Sequence, residues 1–116
     1  MKNVTFFIFL LFAAVCHGQT ITPEQAKNYV DKKVTVCGKV TGTYTSTKGK
    51  GATFLNMGGL YPNNALSVTI FKDDFPKFSY APSGLANKNI CVTGVVTLYK
   101  GKPEIKVNSP TQIVVK

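Results

Sequence analysis

The chain has 116 residues, with 14 Lys, no Arg, five acidic residues and one His, for a formal charge of +9. That length suits a single domain with one core and leaves no room for a second catalytic lobe. The absence of Arg excludes bidentate guanidinium clamps on phosphate or carboxylate. The sole imidazole, His17, falls in a segment read below as cleaved, which excludes His-based acid–base chemistry, catalytic triads and His-ligated zinc.

The first 18 residues read as an address. Lys2 carries the one charge ahead of Val4–Val15, a stretch that is apolar except for Thr5. Its length matches a signal-peptide core and falls short of the about 20 residues of a membrane span. Cys16-His17-Gly18 puts small residues at the −3 and −1 positions of a cut after Gly18. A rival reading makes Cys16 a lipid-modified N-terminus, although Val15 is bulkier than the small residue that modification favours. Either way the domain, residues 19–116, is expected outside the cytoplasm, periplasmic or secreted, with no membrane span in the mature chain. That chain keeps 13 Lys against five acids, a net +8, and two cysteines, Cys37 and Cys91.

Thr22-Pro23-Glu24-Gln25 opens a short helix, with Thr22 at the N-cap, Pro23 at the first position and Gln25 completing a capping box. Ala26, Tyr29 and Val30 form its apolar stripe, and it ends near Asp31. From Lys33 the period becomes two. Val34, Val36, Gly38 and Val40 alternate with Lys33, Thr35, Cys37 and Lys39, which predicts a half-buried first strand running to Thr45. Gly38 stands where another valine would fit and marks a bend. Ala52–Met57 is the second strand, with Leu55 and Met57 on one face and Phe54 and Asn56 on the other. Leu66–Lys72 is the third, with Leu66, Val68 and Ile70 inward and Ser67, Thr69 and Phe71 outward. Asp73-Asp74 caps a short helical or irregular stretch that Pro76 and Pro82 interrupt. Asn89–Tyr99 is the fourth strand, Pro103–Val107 the fifth, and Gln112–Val115 a terminal β extension. Five strands, a long bent first one, and a helical segment between the third and fourth are the order of an all-β OB-fold barrel, a small five-stranded Greek-key barrel. Gly38 and Gly94 are placed to supply its bends.

Val34-Thr35-Val36-Cys37-Gly38-Lys39-Val40, Thr53-Phe54-Leu55-Asn56-Met57-Gly58, Tyr61-Pro62-Asn63, Ile90-Cys91-Val92-Thr93-Gly94, Tyr99-Lys100-Gly101-Lys102-Pro103-Glu104-Ile105 and Ser109-Pro110-Thr111-Gln112-Ile113 together resemble the bacterial exported OB-fold domains of the nucleic-acid-binding, tRNA-anticodon-binding-like kind. The likeness runs over about residues 22–114. It implies a binding module rather than an enzyme. OB-type nucleases rely on a calcium site and arginine clamps, whereas this chain has no Arg and few acids.

OB barrels bind on the face of their second and third strands, between the loop joining strands 1 and 2 and the loop joining strands 4 and 5. Lys48-Gly49-Lys50 lies in the first loop and Lys100-Gly101-Lys102 in the second, so both turns are expected to bracket one face. Phe54 and Phe71 point outward there, Asn56 and Thr69 add hydrogen-bonding groups, and Tyr44 and Tyr99 stand at the loop edges. Lysines for a phosphate backbone and rings for bases are the chemistry of single-stranded nucleic-acid binding. Lys and Gly are equally at home in solvated turns, and the two Phe rings would be structural if covered. The alternative is an envelope structural or adaptor module that holds an acidic polysaccharide, another polyanion or a partner protein such as a secreted nuclease. A monomer with no cofactor, no metal site and no catalytic residue is expected, and Asp73-Asp74 is assigned to capping. Cys37 and Cys91 sit outward on neighbouring strands, which leaves open a cross-strand disulfide or two free thiols.

Overall fold

The computed structural model describes residues 19–116; the expected leader, with Cys16 and His17, lies outside the described residues. Seven strands are present: β1 Gln19–Ile21, β2 Lys33–Ser46, β3 Ala52–Met57, β4 Leu66–Phe71, β5 Asn89–Tyr99, β6 Lys102–Lys106 and β7 Ile113–Val115. The alternating valines of β2 make it the organising strand. Its first half, Lys33–Lys39, pairs antiparallel with β5, and from Val40 onward it pairs antiparallel with β3. β3 then pairs with β4, β4 runs parallel to β6, and β6 returns antiparallel to β5. This circuit of five strands closes on itself, which leaves no open edge within it.

Inside the barrel, Val36, Val40, Leu55, Met57, Leu66, Val68, Ile70, Val92, Val96 and Ile105 are fully buried. The period-two parity expected for the second and third strands holds throughout, because one slipped residue would turn this set into water. Strand ends shift by one residue: β4 stops at Phe71 rather than Lys72, and β6 spans Lys102–Lys106 rather than Pro103–Val107.

Three expectations are corrected. The N-terminal helix is a 3-10 segment, Pro23–Asn28, that ends before Asp31; Thr22 stands at its N-cap as expected, and the Gln25 side-chain oxygen Oε1 accepts from the Thr22 N–H at 2.9 Å in the expected capping box. The segment is too short for α-helical cooperativity and is held by burial of Pro23 and Ala26 against the barrel. The expected helical or irregular stretch between the third and fourth barrel strands is present as two 3-10 turns, Lys72–Lys77 and Pro82–Leu85, and the second correction concerns its acids. Asp73 and Asp74 occupy the first turn of the former rather than its cap, which is Phe71, and Asp74 pairs with Lys77 at 2.8 Å.

The third correction concerns the bends. The register shift in β2 falls between Val40 and Gly42, where the strand has just exchanged β5 for β3. Gly38 and Gly94 serve close approach instead. A Cβ on Gly94 would stand 2.6 Å from Ile105 Cγ2, and one on Gly38 would stand 3.0 Å from Pro23 Cγ. The bare backbone thus lets the 3-10 segment lie on β2 and lets β6 pack on β5.

Two strands lie outside the circuit. β1 adds in parallel to β2, and β7, the expected terminal extension, pairs antiparallel with β5. Cys37 and Cys91 face each other in register across β2 and β5 and form a disulfide, with Cα atoms 4.0 Å apart. Beside it the hydroxyls of Thr35 and Thr93 meet at 2.8 Å across the same two strands. Among the described residues no helix is long and apolar enough to cross a membrane.

Candidate binding face

The outward residues of β3, β4 and β6 make one continuous surface. Register places Tyr44, Phe54, Thr69 and Lys106 in one row across the strands. The next row is Gly42, Asn56, Ser67, Glu104 and Thr97, and on the other side Ser46, Ala52 and Phe71 form a third. Tyr44 and Phe54 stack, with ring centroids 6.4 Å apart and planes 12° from parallel. This is offset-stacked packing. Tyr44 is 63% exposed and flanks Phe54 on the β2 side, while Thr69 lies across from Phe54 on the β4 side. Phe71, at 38%, is partly open beside them.

The lysine turns stand at opposite ends of this surface. Lys48-Gly49-Lys50 is exposed, closed by the Gly51 N–H donating to the Lys48 carbonyl at 3.0 Å, and leads into β3 beside Phe71. Lys100-Gly101-Lys102 leads into β6, whose Glu104 lies opposite Ser67 toward the far end of β4. The strands between them are six residues long, roughly 20 Å of face. At this far end Tyr99 is exposed and Lys100 holds its ammonium 5.4 Å from the Tyr99 ring centre. The Lys102 ammonium donates to the Pro62 carbonyl at 2.8 Å and so ties the hairpin to the loop between β3 and β4.

That loop changes the expected role of two residues. Thr41 donates to the carbonyls of both Asn56 and Gly59, at 3.0 and 2.6 Å, and Asn64 donates to the Leu66 carbonyl and the Ser67 hydroxyl, each at 2.9 Å. The loop is thereby fastened over the Asn56 end of the face. Asn56 and Thr69 point outward as expected, yet they are only 7% and 1% exposed. The Thr69 hydroxyl is committed to Glu104 Oε2 at 2.6 Å. Thr69 therefore lacks the free hydrogen-bonding edge that parity alone suggested, whereas the Asn56 amide has no side-chain partner among the described residues and reaches solvent only narrowly.

Several residues of the face were not singled out from sequence. Glu104 was legible as outward, since Ile105 beside it faces in, but its burial was not. Leu60 and Tyr61, 70% and 75% exposed, stand on the Tyr61-Pro62-Asn63 loop, which alternation cannot place. An open groove continues from the face around β5, lined by Lys33, Lys106, Thr93, Thr97 and Asn108. Asp73 and Asp74 lie off the face, and among the described residues no cluster of three His, Cys, Asp or Glu could hold a metal ion.

No protein-family model matches the chain, and no curated protein matches it in sequence. Solved structures do. A chain in the crystal structure of yeast Stn1 and Ten1 matches over 85% of this chain and 63% of its own length, with a TM-score of 0.57 and 16% identity. The fold is an OB barrel. A putative aspartyl-tRNA synthetase from Leishmania major Friedlin matches over 85% of this chain at a TM-score of 0.50 and 16% identity. The OB barrel described here spans 21% of that synthetase, and under two thirds of either neighbour. At such identities the likeness concerns the fold.

Proposed function

We propose that this protein is an exported OB-fold binding module, without enzymatic activity, that holds single-stranded nucleic acid across the outer face of β3, β4 and β6. The observation that carries this reading is the Tyr44–Phe54 stack standing between two exposed lysine turns on the face that OB barrels use for oligonucleotides. A ring with one open side accepts any base, and lysines at both ends of the face suit a phosphate backbone crossing it. The groove past Lys106 and Lys33 prolongs the cationic path. The Cys37–Cys91 bond suits an oxidising compartment, which supports a location outside the cytoplasm. A second reading, docking of a partner protein, draws on the exposed Leu60, Tyr61 and Leu98 near the Lys100 turn.

Fluorescence anisotropy with a labelled oligonucleotide at low salt tests the first reading. Binding is expected, and Tyr44→Ala or Phe54→Ala weakens it by about 1–3 kcal/mol, the worth of one base–aromatic stack. An acidic polysaccharide of matched charge density should not show that dependence on the rings. No binding at low salt overturns the proposal. Binding indifferent to both substitutions reduces the face to generic charge attraction.

A further inference from the structure

Glu104 stands out on a face that otherwise gathers lysine. The other four acids, Glu24, Asp31, Asp73 and Asp74, lie on the turns outside the barrel strands, and all but the partly buried Asp74 are exposed. Glu104 points outward from β6 yet is only 7% exposed. A buried carboxylate is costly unless its oxygens are hydrogen-bonded. Thr69 satisfies Oε2 at 2.6 Å. Among the described residues no donor reaches Oε1 and no lysine forms an ion pair with this side chain, while no buried side-chain oxygen is left sealed without a partner. Oε1 is therefore an acceptor still open to a ligand, at the floor of the face.

Its position relative to the rings gives the acceptor a meaning. Phe54 lies directly across from Thr69, and Thr69 holds Glu104 on the next strand. Strands are about 4.8 Å apart, so a base laid against Phe54 on the side away from Tyr44 sits above Thr69, and its edge meets the Glu104 carboxylate that Thr69 holds. An anionic acceptor there repels phosphate oxygens and base carbonyls and welcomes an amino group. Cytosine offers its N4 amino group at the edge position where thymine offers the O4 carbonyl, and Glu or Asp is the side chain that accepts from it.

The geometry points to Glu104 as a specificity-determining residue that, given the nucleic-acid reading of this face, selects bases carrying an exocyclic amino group over thymine. Titration of the protein with oligodeoxycytidine and oligothymidine of equal length, at low salt and neutral pH, tests it. The cytidine oligomer is expected to bind about tenfold tighter, the scale of one well-placed base contact. Glu104→Gln keeps an oxygen for Thr69 and turns an amide donor toward the ligand, so the preference disappears or reverses, with thermal melting as the check on folding. If that variant melts out, Glu104→Asp, which retracts the acceptor by one methylene, reduces the preference instead. Equal affinity of the unaltered protein for both oligomers overturns the assignment and leaves the binding face standing. Binding of neither oligomer overturns both. A cytidine preference that survives in the folded Glu104 variants overturns the role of this residue.

Discussion

Breaking the Cys37–Cys91 bond, by reductant or by Cys37→Ser with Cys91→Ser, lowers the stability of the domain by about 4 kcal/mol. The bond joins residues 54 apart in sequence. Cross-linking a loop of that length removes about 4 kcal/mol of chain entropy from the unfolded state on the loop-closure model. Both sulfurs lie on the outer surface, and the hydrophobic core inside the barrel is complete without them. The loss therefore falls chiefly on the unfolded ensemble, and the folded geometry of the binding face is retained. For a domain of this size each kcal/mol moves the melting point by about 4–8 °C, so the drop should be at least about 15 °C. Thermal melts with and without reductant measure it. A shift of only a few degrees would mean that the unfolded chain is already compact around this pair, or that the thiols are not bonded.

The barrel was largely legible in the sequence because its strands are half-buried. Val34, Val36 and Val40 alternate with polar residues, and that alternation fixes which face of β2 turns inward. The same parity put Cys37 and Cys91 on the same side of adjacent strands, and register then decided between a bond and two thiols. β1 was not legible, since three residues carry no period and its pairing with β2 is parallel and remote. Glycine is the usual mark of a bend, which points to Gly38. Instead the strand shifts register near Thr41, where it changes neighbours, a fact that belongs to the tertiary pairing. The candidate site divides in the same way. The outward rings and the two lysine turns follow from local pattern. The burial of Asn56 and Thr69 follows from Glu104 and from the β3–β4 loop, which is held in place by Thr41 and Lys102, and these three residues are all remote from them in sequence.

Affinity for a single strand should fall about 50-fold between 50 and 200 mM salt. Four lysines, Lys48, Lys50, Lys100 and Lys102, occupy the two turns. Four phosphate contacts on a single strand give a slope of about −2.8 in log affinity against log salt, which yields that factor. Lysines act here as point charges without the directional fork of arginine, so the loss should be nearly uniform across sequences. Replacing Lys48 and Lys50 together by Ala flattens the slope by about 1.4. Lys102 contributes despite its bond to the Pro62 carbonyl, because an exposed ammonium carries further donors. A slope unchanged by the double substitution would place the phosphates elsewhere on the surface.

The central claim is that the ligand lies on the β3–β4–β6 face between the lysine turns. Backbone amide chemical-shift mapping during titration with a short single-stranded oligonucleotide tests it most directly. The predicted result is a contiguous set of shifts at Tyr44, Phe54, Phe71, Glu104 and the turns around Gly49 and Gly101, with Cys37 and Cys91 on the opposite flank unmoved. Shifts centred on the Cys37–Cys91 flank, or spread evenly over every exposed lysine, would contradict it.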